Sequence, residues 1–349
     1  MHAAAFGILA EAIERGPIPG AAAAIGRTLD SPADEVACFG RLEPEGAAVT
    51  PDTWYDLASL TKVLCTVPLC LEWIASGRLD PRAPLRELLP EVAWLQDPPN
   101  LGDVSLLQLA THTSGLPAWQ PLYTLGLDRA TLLARLLHTP VDAAAQARIV
   151  YSDLGYMLLG HLLERLSGAS SLQDLACQLY ARLGLRESLA FGGAPPGAAV
   201  APTEHCPWRG RLLRGEVHDE NAAAQGGVAG HAGLFGTLRG VVGYARALLE
   251  GQLHPPAVVA YLSQEHARDP ASGERRGFGW SLMHPGWSGG DLLSPRSIGH
   301  TGFTGTGVWI DLDRGRYSVL LTNRVHPSRH TESNIVRLRR AFNHAAHAV

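Results

Sequence analysis

Strand-forming sequence lies at both ends of this chain, with helix-forming sequence between them. Gly20–Thr28 (GAAAAIGRT) and Glu35–Gly40 read as two strands joined by a polar turn, and Trp54–Leu57 is a short apolar approach to Ser59. Strand patterning returns only at Phe278–Met283, Ser297–Thr301, Gly307–Asp311 and Tyr317–Thr322, with Asp313-Arg314-Gly315 as a hairpin turn. A sheet made from these pieces must draw on both termini, so the helical middle is an insertion. This predicts an α+β chain of one domain, residues 1–349, with an α/β lobe of about 1–76 and 237–349 and a mostly helical lobe of about 77–236.

The other elements follow from period and punctuation. Met1–Gly20 reads as a short amphipathic helix ending in Gly-Pro, and 60–76 as a helix stopped by Gly77. Residues 78–100 look like an irregular crossing, and Val104–Ala110 leads into a turn at 111–117. Helices are predicted at 129–138, 154–167, 171–183, 238–250 and Glu332–His347. The Gly-, Pro- and Ala-rich stretch 190–236 reads as a long structured loop.

Composition narrows the function classes. With 46% hydrophobic and 18% charged residues, 349 residues suffice for a sizeable core. A net charge of −4 gives no electrostatic reason to expect nucleic acid as a partner. The first residues lack a basic region and an apolar core, and Val63–Ile74 is too short to span a bilayer and is interrupted by Pro68 and Glu72. No membrane span and a cytoplasmic location are therefore expected. Cys38, Cys65, Cys70, Cys177 and Cys206 form no C-x-x-C pair and read as reduced thiols.

Of 29 basic Lys and Arg residues, Lys62 is the only lysine. A chain that uses arginine wherever a plain cation suffices has kept one amine, and an amine can give up its proton where a guanidinium effectively does not. It stands in Ser59-Leu60-Thr61-Lys62, at the start of an apolar helix. Positions i and i+3 share a helix face, so the lysine nitrogen can reach the serine oxygen and activate it as a nucleophile. Tyr151-Ser152-Asp153 opens a second helix and offers a tyrosine as general base and acid. His300-Thr301-Gly302-Phe303 lies on a strand, where Gly302 would let a substrate backbone lie close and the Phe303 N–H could join that of Ser59 in an oxyanion hole.

These three motifs, in this order, together with Thr113-Ser114-Gly115-Leu116-Pro117, resemble the penicilloyl-serine hydrolases: class C β-lactamases, penicillin-binding proteins and related esterases and amidases. The resemblance implies the β-lactamase/transpeptidase-like fold, an antiparallel sheet flanked by helices with an inserted mostly helical lobe. It makes Ser59 the acylated nucleophile, Lys62 its proton partner and Tyr151 the base and acid. Asp153 takes the amide-binding position, and His300, Thr301, Gly302 and Phe303 hold the substrate. No cofactor and no metal are implied. Two residues depart from typical class C β-lactamases, which carry Asn where Asp153 stands and Lys where His300 stands. Both departures favour the esterase and amidase branch over efficient penicillin hydrolysis. If His300 holds an anionic group, KM for anionic substrates should fall as pH drops from about 8 to 6.

Gly215–Ala222, Gly226–Phe235, Ser294-Pro295-Arg296 and Thr322–Pro327 further resemble relatives described as N-acetylmuramoyl-L-alanine amidases, so the expected partner is a small molecule or muropeptide. Two other patterns read as decoys. Gly286-Trp287-Ser288-Gly289-Gly290 matches G-x-S-x-G but is preceded by Pro285 and followed by Asp291 in a loop, not set between strand and helix. His218, Asp219, Glu220 and His231 lack metal-site spacing. The alternatives to an esterase or amidase are a class C-like β-lactamase and a sensor that is acylated without turnover.

Overall fold

The computed structural model describes residues 2–28, 34–95 and 100–348. Its main sheet has eight strands, numbered here along the chain: β1 (Gly20–Arg27), β2 (Glu35–Gly40), β3 (Ala267–Arg268), β4 (Arg275–Arg276), β5 (Ser281–Leu282), β6 (Ser297–Thr301), β7 (Gly307–Asp311) and β8 (Arg316–Thr322). Their order is β2-β1-β8-β7-β6-β5-β4-β3, antiparallel throughout. The N-terminal pair joins the C-terminal strands through β1 and β8, in a register running from Ala21 opposite Thr322 to Arg27 opposite Arg316.

The alanine run of β1 explains how both sheet faces can be covered. Successive strand side chains point to opposite faces. Ala21, Ala23 and Ile25 meet one core with Leu9, Leu338 and Phe342, from the helices Ala3–Arg15 and Ile335–Ala346. Ala22 and Ala24 meet the larger core, which runs through Leu60, Val63 and Tyr156 into the helical region. Methyl-sized side chains let helices approach closely on either side.

The helical region contains Arg129–Leu137, Asp153–Ser167 and Leu172–Arg182, each within two residues of expectation, and Leu238–Leu249 follows it. Elsewhere the structure departs from the sequence reading. Of Phe278–Met283 only Ser281–Leu282 pairs as a strand, because Gly279 turns the chain with φ +83°. Strands β3 and β4 and the helix Pro256–Ser263 were not legible. The stretch 190–236 is more ordered than a loop. Its helix Glu220–Ala224 is capped by Asp219, and Leu234–Gly236 pairs with both Tyr55–Asp56 and Leu189–Phe191 in a three-stranded sheet. The polar turn expected before β2 falls largely on residues 29–33, outside the described residues. Among the described residues, no helix is long and apolar enough to cross a membrane.

Candidate active site

The chain reaches Ser59 through a tight turn. Ala58 adopts φ +47°, a left-handed conformation that costs about 1–3 kcal/mol for a residue with a Cβ. Asp56 holds it there: one carboxylate oxygen accepts from the Ala58 N–H at 2.8 Å and the other from the His218 N–H at 2.6 Å. The first turn after Ser59 is tightened, with the Lys62 N–H on the Ser59 carbonyl at 3.1 Å. Residues i and i+3 eclipse in such a turn, which stacks Lys62 over Ser59. A π-helical turn then runs over Lys62–Thr66 before the α-helix Val67–Ala75. Ser59 thus stands at the helix N-terminus, as the motif predicts.

Lys62 is fully buried and its nitrogen faces three oxygens: Ser59 Oγ at 3.0 Å, Asp153 Oδ1 at 2.6 Å and the His231 carbonyl at 3.1 Å. Tyr151 completes the surround, with Nζ 4.9 Å from its ring centre. Burial works against the lysine charge, but Asp153 and then Tyr151 outweigh it, so the ammonium is held above the ordinary lysine value. Asp153 therefore has a role the motif did not suggest: its carboxylate is the counter-ion of Lys62.

Tyr151 and Asp153 are positioned by the turn at 111–118. The Val150 N–H donates to the His112 carbonyl at 2.9 Å, the Asp153 N–H to the Ala118 carbonyl at 2.9 Å, and the Ser152 hydroxyl to the Pro117 carbonyl at 2.7 Å. His112 accepts the Ser152 N–H at Nδ1, 3.0 Å away, and lays its ring 4.4 Å from that of Tyr151. Burial, then the charges of Arg276 and Lys62, push its imidazole well below the usual histidine range. It acts as a neutral wedge behind the tyrosine.

On the other wall, β6 ends in His300-Thr301. His300 is buried, and its Nδ1 lies 3.0 Å from the Thr301 carbonyl. Burial, then Lys62 and Arg276, push its pKa well below 6.5. This favours the neutral ring and argues against His300 as the source of the expected pH dependence of anion binding. A cation nearby is Arg276 on β4, which sequence reading missed and whose Nε donates to Glu274 at 2.7 Å. Its guanidinium lies 5.6 Å from the Tyr151 ring centre, and it lines a cavity of about 260 Å³ with Tyr151, Ser281, Ser288, His300 and Thr301. Arg276 sits in a polar Arg-Arg pair, and nothing in the local pattern singles it out.

The turn after β6 is stitched to the nucleophile segment. Thr304 donates to the Asp56 carbonyl at 2.7 Å and Thr306 to the Leu57 carbonyl at 3.1 Å. A Cβ on Gly302 would stand 2.2 Å from Thr306 Oγ1 and 2.5 Å from the Leu57 carbonyl. Gly302 is thus required first by the protein's own backbone. Among the described residues, neither the Ser59 nor the Phe303 amide donates a hydrogen bond within the chain. Behind the lysine, the glycine-rich segment 226–235 forms the floor: Thr66 donates to the Gly230 carbonyl at 2.7 Å and the Leu234 N–H to Thr61 at 3.1 Å. The four residues weighed as a metal cluster are separately engaged, Asp219 with His231 at 2.8 Å, His218 with Glu204 at 3.1 Å, and Glu220 with Arg329.

The chain matches the Beta-lactamase family over residues 7–341. A protein of Salmonella agona named "Putative D-alanyl-D-alanine carboxypeptidase" is 29% identical over 314 residues, covering 79% of this chain and 71% of that one. The fold is shared with a class C β-lactamase from Rhodobacter sphaeroides (TM-score 0.73, 20% identity, 98% of both chains). It is also shared with EstCE1, a hydrolase with promiscuous acyltransferase activity (TM-score 0.79, 19% identity, 98% of both chains). With the family matched across nearly its whole length, the chain belongs to the beta-lactamase family of serine hydrolases.

Proposed function

We propose that this protein hydrolyses ester or amide bonds of small molecules or cell-wall-derived peptides through an acyl-enzyme on Ser59, with residues 1–349 acting as one catalytic domain. The observation that carries the reading is the 3.0 Å approach of Lys62 Nζ to Ser59 Oγ. Asp153 and the His231 carbonyl only accept, so they fix two lysine protons. The third position faces Ser59, and that bond can reverse when Lys62 or Tyr151 takes the serine proton. Ser59 Oγ then attacks the substrate carbonyl, and the Ser59 and Phe303 N–H groups hold the resulting oxyanion. The carbon–heteroatom bond breaks as Tyr151 returns a proton to the leaving alcohol or amine. A water, deprotonated by the same pair, attacks the acyl-enzyme, releases the acid and restores Ser59.

Arg276 lines the cavity beside His300 and, by exchanging or sharing its partner Glu274, would favour substrates with a carboxylate near the scissile bond. It removes one of the two objections to a penicillin-like substrate, the missing cation. The other stands, since Asp153 is engaged with Lys62 and offers no amide N–H. Five cysteines without disulfide partners suit a reducing, cytoplasmic setting.

The test is a burst and steady-state assay with p-nitrophenyl butyrate, with mass spectrometry of the trapped intermediate. Turnover with the acyl group on Ser59 is expected. An adduct on another residue would overturn the reading, and a burst without turnover would favour the sensor. Arg276→Gln should raise KM for a peptide with a free C-terminal carboxylate at least tenfold more than for its amide.

A further inference from the structure

Arg339 projects from the C-terminal helix into the interior and is only 6% exposed. A buried guanidinium ordinarily has a carboxylate beside it, because an uncompensated charge is costly to desolvate. Among the described residues Arg339 forms no ion pair. Its Nη2 instead donates to two carbonyls, Gly302 and Thr306, at 2.8 Å each, and its Nε is buried without a partner. Burial, then the charge of Arg324, push its pKa down to about 9, which leaves it a cation at neutral pH.

The Gly302 carbonyl belongs to the same peptide unit as the Phe303 N–H. In a trans peptide the C=O and N–H point in opposite directions. A cation bonded to the oxygen draws electron density toward it and makes the N–H on the far side a stronger donor, since linked hydrogen bonds polarise one another. Arg324 adds to this on the next unit, its Nε donating to the Phe303 carbonyl at 2.8 Å. Two guanidiniums thus bond the carbonyls of the short turn between β6 and β7.

We propose that Arg339 is a positioning residue for the oxyanion hole. Its unpaired charge, relayed through the Gly302–Phe303 peptide, strengthens the Phe303 N–H as negative charge develops on the substrate oxygen. This rests on the reading of Ser59 as the acylated nucleophile. It also explains why a buried position carries a cation without a counter-ion: a carboxylate there would cancel the field that the oxyanion needs.

The experiment separates charge from shape. Arg339→Lys keeps the charge, Arg339→Gln keeps a donor without it, and Arg339→citrulline keeps nearly the whole outline while losing the charge. The readouts are the acylation rate with p-nitrophenyl butyrate, Kd for a boronic acid that forms an anionic tetrahedral adduct, and the infrared carbonyl stretch of the acyl-enzyme. Citrulline and Gln should slow acylation about tenfold, with KM within twofold, weaken the boronate by a similar factor and raise the carbonyl frequency. Lys should recover most of the rate. If Gln fails to fold, citrulline alone decides. Wild-type rate, boronate affinity and carbonyl frequency in the citrulline variant would overturn the proposal, as would a loss that Lys does not restore. Should active-site titration find no acylation of wild-type Ser59, the reading of the site falls, and this inference with it. Normal titration with charge-insensitive variants removes only the role of Arg339.

Discussion

Two serines of this chain sit in glycine- or alanine-flanked turns, Ser59 beside Lys62 and Ser288 in the cavity beside β6. Ser59 follows a strained Ala58, heads a helix and meets Lys62 at 3.0 Å. Ser288 lies in the sequence that matches a nucleophile motif letter for letter, yet turns surround it on both sides. Its hydroxyl accepts from the Trp309 indole at 3.1 Å and its carbonyl from Asn343 at 3.1 Å. The difference is what surrounds the oxygen. A nucleophile needs a proton acceptor on one side and uncommitted N–H donors on the other. At Ser288 the neighbours are groups that fasten a loop to the sheet and the last helix.

The largest effect that would break this contrast comes from the serines themselves. Ser59→Ala should lower kcat/KM by at least ~10⁴-fold and abolish labelling by a fluorophosphonate. Labelling that persists and maps to Ser288 would invert the comparison. Next comes the base. Lys62→Arg keeps a cation near Asp153 but offers no usable lone pair, and should cost about 10²–10³ in kcat. Retention of more than about a tenth of the rate, roughly 1.4 kcal/mol in barrier, would make Lys62 only a charge.

Gly302→Ala sharpens the contrast on the oxyanion side. The added Cβ meets Thr306 and the Leu57 carbonyl inside contact distance, so the turn must move. About 10- to 100-fold in kcat and about 1–3 kcal/mol in unfolding free energy are expected, read by kinetics and urea titration. Asp153→Asn removes the charge that raises the lysine pKa. Where Lys62 is the group that takes the serine proton, the active form has it neutral, so the limb on which activity rises with pH should move downward by about one unit or more, and activity below it should increase. An unmoved limb would mean that the lysine stays charged throughout. The smallest effect belongs to Ser288→Ala: activity within twofold and about 0.5–1.5 kcal/mol of stability, the scale of one lost hydrogen bond.

What was legible in the sequence depended on how far each signal had to reach. Ser59 and Lys62 are three residues apart, and the local helix fixes their geometry. Tyr151 and His300 carried motif residues around them, so their part in the site was readable, although their distances to Ser59 were not. Asp153 was read as the amide-binding position, and its contact with Lys62 was not foreseen, because an Asp–Lys pair across 91 positions leaves no periodic trace. Arg276, Arg339 and His112 were missed as site residues for a similar reason. Each acts through contacts distant in sequence, and two of them are ordinary-looking arginines in a chain with many. In the fold, the four periodic helices from Arg129 to Leu249 were found within two residues, while the first and last helices, Ala3–Arg15 and Ile335–Ala346, are shorter than expected. Two-residue strands such as β3 and β4 are too short to hold an alternation, and tertiary pairing alone makes them strands.

The pairing of β1 with β8 has a consequence for the order in which the molecule is made. A ribosome delivers Ser59, Lys62, Tyr151 and Asp153 well before Phe303, and the strand that seats β1 in the sheet emerges later still. Before residues 303–306 emerge, the segment leading to Ser59 lacks Thr304 and Thr306, which tie it down, and the proposed oxyanion hole lacks its Phe303 donor. A nascent chain can therefore hold the whole proton-transfer apparatus and still be inert. Closure of the sheet, the slowest kind of contact for a chain to make, is also the step that completes the proposed site, so under that proposal the onset of hydrolysis during synthesis or refolding would report completion of the fold.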